Sequence, residues 1–234
     1  MKTVLVVDDE PQIRQLCEER RRSLLADVSH ELRTPLTVIR GKVEAIRDGI
    51  YPADDAHLDA ILDDAQTMSR LVEDLRTLVL SEGGTLTLHR EPTDLRTVIA
   101  DVSGDFQPIA QRAGVTLTTT VEGDPPLLDI DPVRIGEVVG NLVDNAIKHT
   151  PEGGSVRVEA AMEDDSVRIT VADTGRGIDP AVLPHLFQRF VKGADSRGTG
   201  LGLAIVRSLV ELHGGTVAVE SVSIRGARSR SGYR

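Results

Sequence analysis

Cysteine is almost absent: Cys17 stands alone in 234 residues. A single cysteine excludes an internal disulfide and fits a reducing compartment, so the expected location is the cytoplasm. No apolar run approaches the roughly 20 residues needed to span a bilayer, and the N-terminus lacks the layout of a signal peptide. Basic charge is also short. There are 27 Lys and Arg against 37 Asp and Glu, a net charge of −10. That balance argues against a nucleic-acid binder, which carries a basic footprint. What is present, 40% hydrophobic and 27% charged residues, is the composition of a soluble globular protein. The length suits one large or two small domains.

Residues 17 to about 49 are expected to form one helix. Leu25, Val28, Leu32, Leu36, Ile39, Val43 and Ile46 recur there in steps of three and four. Gly49, followed by Tyr51-Pro52, ends it. A second helix is expected from about Asp54 to Leu80. Leu58, Ile61, Ala65, Met68, Val72, Leu75 and Val79 form a sustained heptad seam in it. Two long helices joined by a short loop make an antiparallel hairpin. One hairpin has too little core to cover both seams. Two hairpins paired into a four-helix bundle would cover them, which makes a homodimer the expectation.

The first helix carries Ser29-His30-Glu31-Leu32-Arg33-Thr34-Pro35-Leu36-Thr37. His30 and Thr34 are four apart and share a face. Pro35 removes a backbone donor, so a local kink is expected. A neutral imidazole is a usable nucleophile near neutral pH. Glu31 would hold or deprotonate the ring nitrogen that does not attack, if its side chain reaches sideways. A histidine on the solvated face of an amphipathic helix is the plainer alternative.

Ser81-Glu82-Gly83-Gly84 marks a break in composition and a domain boundary. Beyond it, Thr85 to His89 alternates like a strand, Asp94 to Ala113 reads as a helix, and Val115 to Val121 as a strand. The order of segments, with mostly neighbouring strands, suggests an α+β sandwich. Asp131-Pro132 opens a helix as N-cap and first-turn proline, and that helix runs to about His149. Its apolar face holds Ile135, Val138, Val139, Leu142, Val143, Ala146 and Ile147. Glu137, Asn141, Asn145 and Lys148 lie along the other side. Asparagine is a poor helix former, so two of them a turn apart invite a reason. A solvated face is one; an amide oxygen on Mg²⁺ beside a lysine near phosphate is the other.

Strands near Ser155 to Ala161 and Val167 to Ala172 follow, the second running into Asp173-Thr174-Gly175-Arg176-Gly177. A strand-end aspartate can accept from the exocyclic amine of adenine, and the glycines permit close backbone approach. Leu186 to Phe190 holds two of the three phenylalanines. Gly198-Thr199-Gly200-Leu201-Gly202 then enters a helix, a geometry that suits an anion. That helix ends at His213-Gly214-Gly215.

The Ser29 to Thr37 stretch resembles the phosphoacceptor box of sensor histidine kinases. Asn141/Asn145, then Asp173/Gly175/Gly177, then Phe187/Phe190, then Gly198/Gly200/Gly202 are similar to the N, G1, F and G2 boxes of that family's ATP-binding domain. That domain shares its fold with gyrase-type ATPases and Hsp90-type chaperones. The resemblance covers about residues 20 to 221. It implies that His30 takes the γ-phosphate of ATP, that Glu31 assists, and that Thr34 supports dephosphorylation of a response regulator. It implies Mg²⁺ on Asn145 with Asn141 placing it, adenine on Asp173, and phosphates on Lys148 and Arg189. Leu201 joins the glycines of the last box at the nucleotide, and residues 191 to 199 would form a lid. Where related ATPases have a water-activating glutamate this chain has Asn141, whose amide cannot act as a general base. The implied partners are a second copy of the chain and a response-regulator receiver domain.

The ends depart from that pattern. MKTVLVVDDEPQIRQL, residues 1 to 16, resembles the opening of a receiver domain, with Asp8-Asp9 as its acidic pair. A lone strand cannot pair or bury both faces, so a frayed or helix-extending N-terminus is the alternative. Ser221 to Arg234 carries arginines at 225, 228, 230 and 234 in place of the family's final apolar strand. The expected division is residues 1–16 receiver-like, 17–82 dimerising helical hairpin, 83–221 ATP-binding domain and 222–234 basic tail. Three other readings stay open: a phosphatase-biased core, a non-catalytic regulator-binding module, and a chaperone-like ATPase, the last opposed by His30 and Asn141.

Overall fold

The computed structural model describes residues 11–163, 166–191 and 199–220, with side chains from Val28 onward. It divides into two compact units, Met1–Glu73 and Asp74–Arg234. Among the described residues no helix is long and apolar enough to cross a membrane.

The first unit is a helical hairpin. Helix α1 spans Pro11–Arg47 and helix α2 spans Asp55–Glu82. Pro11 to Leu16 are the first turns of α1, so the helix starts six residues before the expected Cys17. The strand and acidic pair of the receiver-like stretch lie in residues 1–10, outside the described residues. Gly49, at φ +73°, closes α1 in the left-handed region that glycine tolerates. Asp54 caps α2: its carboxylate accepts from the His57 N–H at 3.0 Å and meets the His57 ring at 2.6 Å. The Tyr51 ring stacks on His57. Lys42 ties the two helices together, donating to the Ala60 carbonyl at 3.0 Å and pairing with Asp64 at 2.6 Å. The expected seam is only part covered. Ile39, Ile61 and Met68 are half-buried, while Leu36 is 54% exposed, Val43 48% and Val72 49%.

The second unit begins with the last turns of α2. Strand β1 is Glu91–Thr93, helix α3 Leu95–Arg112, strand β2 Thr116–Val121, strand β3 Leu128–Ile130, helix α4 Pro132–His149, strands β4 Ser155–Glu163 and β5 Ser166–Asp173, and helix α5 Gly202–Leu212. Thr85 to His89 does not form the expected strand. The Thr85 and Leu86 N–H groups instead donate to the Leu80 carbonyl and close α2. The strand lies just beyond, as β1 pairing antiparallel with β3. The main sheet has the order β2-β4-β5. β2 and β4 are parallel, from Thr116 opposite Ser155 to Val121 opposite Ala160. They are therefore not sequential neighbours, because a parallel pair needs a crossover, and α4 supplies it. β4 and β5 form the antiparallel pair, from Val156 opposite Asp173 to Glu163 opposite Ser166.

Alternation sets the core. Val156, Val158 and Ala160 of β4 point inward, with Arg157 exposed between them. They pack with Leu95 and Ile99 of α3, Leu117 of β2, and Val139, Val143 and Ile147 of α4. The result is a helical layer on one face of a mixed sheet, the sandwich the segment order suggested. α5 adds Ala204, Ile205, Val206 and Leu209, all buried.

Candidate nucleotide and phosphoacceptor sites

α4 is fixed at its start by Asp131, which is 3% exposed. One carboxylate oxygen accepts from the Arg134 N–H at 3.1 Å, and the other from the His89 N–H at 2.8 Å. Burial pushes this carboxyl up, but the His89 and Arg134 N–H groups and the Arg134 guanidinium outweigh it, so its pKa falls below the usual aspartate value. The Asp131 N–H in turn donates to Nε2 of His213, whose Nδ1 faces the Leu209 carbonyl at 2.8 Å. The start of α4 is thereby joined to the end of α5.

The polar side of α4 then meets the start of α5. Asn141 donates from its amide nitrogen to the Glu137 carbonyl at 3.0 Å. Its amide oxygen lies against Gly202, where an added Cβ would sit 2.8 Å away. Asn145, one turn on, is half-buried. Lys148 is exposed and paired with Asp144 along the helix. Glu137, a turn before Asn141, is paired with Arg134 at 2.7 Å. No carboxylate occupies position 141, so this stretch of α4 holds an amide where water activation would need a base.

The Asp173 loop closes on the other end of α4. An Asp173 carboxylate oxygen accepts from the Gly175 N–H at 2.8 Å. A Cβ on Gly175 would come within 2.5 Å of the His149 carbonyl and 2.6 Å of that carboxylate, so only glycine fits. Gly177 has φ +70°. Lys148, His149, Thr150, Pro151, Thr174, Gly175 and Arg176 line an open cavity of about 450 Å³. Nδ1 of His149 lies 3.2 Å from the Arg176 guanidinium. Burial, then the Arg176 charge, lower the His149 pKa, while Asp173 pulls it upward.

The phenylalanine segment and the second glycine turn are strung together. Phe190 takes φ +60°, a costly conformation for a bulky residue. Its N–H donates to the Gly200 carbonyl at 2.8 Å, and Gly200 has φ +72°. Phe187 is half-buried just before it. Leu201, fully buried, precedes α5, and no side chain caps that helix. Its first N–H groups are the donors an anion would use. Gly198, and residues 192–198 of the expected lid, lie outside the described residues, as does the tail after Glu220. Arg189 directly precedes Phe190 in this segment. It forms a two-point pair with Glu82 of α2, Nε donating to Oε1 at 2.8 Å and Nη2 meeting Oε2.

In the first unit, His30 is exposed on α1, Glu31 half-buried beside it and Thr34 exposed one turn on. The Thr34 hydroxyl donates to the His30 carbonyl at 3.4 Å, and Thr37 to the Arg33 carbonyl at 2.8 Å. The helix continues through Pro35.

The structure thus brings Asn141 to Gly202, Asp173 to Gly175, and Phe190 to Gly200. It places Lys148 and Arg189 on carboxylates. His149, Arg176 and Glu82 were not singled out from the sequence. The first two stand beside residues that were, Lys148 and Gly175. Glu82 was visible only as part of a linker. Among the described residues no group of three or more His, Cys, Asp or Glu side chains is arranged to hold a metal ion.

Two family models match the chain. One, described as the His Kinase A (phospho-acceptor) domain, matches residues 20–84; the other, described as the histidine kinase-, DNA gyrase B- and HSP90-like ATPase, matches residues 130–231. The chain is 39% identical over 206 residues to sensor protein DivL of Caulobacter vibrioides, covering 87% of this chain and 27% of that one. It is 35% identical over 205 residues to the signal transduction histidine-protein kinase BaeS of Escherichia coli, covering 86% and 44%. It therefore spans less than half the length of these two relatives. Among solved structures, the histidine kinase AdeS of Acinetobacter baumannii superposes with a TM-score of 0.73 at 30% identity, over 83% of this chain and 92% of that one.

Proposed function

The chain belongs to the histidine-kinase family, and we propose that it is the catalytic core of a two-component sensor kinase. Its reaction is ATP-dependent phosphorylation of His30, followed by transfer to an aspartate of a response-regulator receiver domain. The observation that carries this reading is an exposed His30 beside Glu31 in a chain that also builds the Asn141–Gly202 and Asp173–Gly175 cradle.

Nε2 of neutral His30 attacks the γ-phosphorus. The bond to the bridging oxygen breaks and ADP leaves. Glu31 takes the proton that the ring releases from Nδ1. Asp173 accepts from the adenine amine, and the first N–H groups of α5 face the phosphates. Lys148 and Arg189 neutralise charge on them, since phosphoryl transfer is mostly positioning and electrostatics. Mg²⁺ suits this donor set: a small cation held mainly by substrate phosphates needs one amide oxygen, Asn145, and no protein cage. When bound, it would neutralise phosphate charge. Asn141, an amide, leaves water unactivated in favour of the imidazole.

The division we assign is 17–82 for the hairpin and 83–221 for the ATP-binding domain, with Asp74–Glu82 packing on the latter. The hairpin pairs with a second copy: Leu36, Val43 and Val72 lie on its seam and stay exposed in one copy, and a four-helix bundle would cover them. His30 and the cradle belong to different compact units, so transfer depends on a domain motion.

The test is incubation with γ-labelled ATP and Mg²⁺ beside His30→Ala and Asn145→Ala. Acid-labile, base-stable label on the unaltered chain and on neither variant is expected. Label that survives His30→Ala would refute the assignment.

A further inference from the structure

We infer that Glu82 is a competitor for the nucleotide: it pairs with Arg189 through both carboxylate oxygens, and a phosphate-bearing nucleotide must displace it. The inference rests on the reading of Arg189 as a phosphate contact.

Glu82 is the last residue of α2, and that helix has no basic residue in its final turn. The C-terminus of a helix is its negative end, so a carboxylate there is disfavoured unless a cation compensates. Arg189 supplies that cation from 107 residues away, through both Nε and Nη2. The pair is neither buried nor fully solvated, at 31% and 37% side-chain exposure. It therefore sits in the range where exchange of one anion for another is cheap.

The position of Arg189 makes the exchange consequential. It directly precedes Phe190, whose N–H is bonded to Gly200 at the entry to α5. Just before that entry, Thr199 donates to Asp74, again on α2, at 3.3 Å. Two acidic residues of the end of α2 thus hold two residues that flank the phosphate end of the cradle. The guanidinium fork fits a phosphate as well as a carboxylate, and cannot serve both in full. When a phosphate takes Arg189, Glu82 is left without that partner at the negative end of its helix and beside a polyanion. The contacts that involve no carboxylate, Ser208 to Ser81 at 2.7 Å and the Arg134 guanidinium to Thr77 at 3.5 Å, are not part of this exchange. Linkage makes the effect reciprocal: phosphate binding loosens the end of α2, and a tightly held end of α2 weakens phosphate binding.

The experiment measures ATP and adenosine affinity of the full chain by calorimetry, for the unaltered protein, Glu82→Gln, Glu82→Ala, Arg189→Ala and the Glu82→Gln/Arg189→Ala pair. Hydrogen exchange over residues 74–82 is followed in parallel. Either Glu82 variant is expected to bind ATP about two- to fivefold more tightly. Adenosine affinity should stay unchanged, and the gain should vanish when Arg189 is also replaced. Exchange over residues 74–82 should quicken with ATP and not with adenosine. ATP affinity unchanged in both Glu82 variants, with Arg189→Ala still weakening ATP, would overturn the inference and leave the nucleotide site standing. ATP affinity unchanged by Arg189→Ala would overturn the phosphate role of Arg189 and the inference with it.

Discussion

Asp131→Ala should loosen the start of α4 and its tie to His89 together. The side chain makes two bonds to backbone donors, one to the Arg134 N–H within the first turn and one to the His89 N–H from another segment. Losing an N-cap costs about 1 kcal/mol. Leaving the part-buried His89 donor without its acceptor costs a further ~1–3 kcal/mol. The sum is about 2–4 kcal/mol, on a residue whose side chain fills little core. The charge adds a pH signature. The folded pKa lies below the ordinary value, so the folded state binds this proton less readily than the unfolded chain. That contribution is present above about pH 4, the unfolded aspartate value, and is lost as pH falls through the folded one. The assay is hydrogen exchange of the α4 amides, read as local opening free energies. The penalty should be about 2–4 kcal/mol near pH 7 and smaller near pH 3. A penalty under about 0.5 kcal/mol near pH 7, or one that does not shrink in acid, would refute the reasoning.

Other outcomes follow from the same contacts. Gly202→Ala should abolish ATP binding and spare the fold, because its Cβ pushes only on the Asn141 amide; equal losses of affinity and thermal stability would argue against this. Gly175→Ala should damage both, since its Cβ meets the His149 backbone at 2.5 Å. His149 should titrate below the ordinary histidine value by NMR, chiefly from burial and then from Arg176, with Arg176→Ala moving it upward. Because the folded pKa is lowered, the imidazole disfavours protonation. Stability of the loop it supports should fall as pH drops below about 6.5.

The parts of the molecule that were legible in the sequence were those with local causes. Asp131-Pro132 announced the start of α4, because an N-cap and a first-turn proline act within four residues. The helical periodicity of Ile135 to Ile147 gave its buried face. Asp173 and Gly175 were readable as a strand-end aspartate followed by a glycine turn, because both lie within three residues, whereas the bond that the Gly175 N–H donates to the Asp173 carboxylate was not. Thr85 to His89 misled because its alternation is that of a strand, while its first donors serve to end α2. Its neighbour β1 contains Pro92, which a pattern reading sets against a strand. Glu82 was hidden for a different reason. Its partner Arg189 is 107 residues away and is set by how the last turns of α2, Asp74–Glu82, pack within the second unit, and nothing in the Ser81 to Gly84 stretch carries that information. Lys148 and Arg189 were legible as cations, but the carboxylates they rest on, Asp144 and Glu82, were not.

The most direct measurement locates the phosphoryl group. The chain is incubated with ATP and Mg²⁺, digested at neutral pH, and mapped by mass spectrometry with and without brief acid treatment. The expected result is one phosphoryl group on the peptide containing His30, absent after acid. A stable group on Ser29, Thr34 or Thr37, or release of free phosphate with none on the protein, would contradict the account.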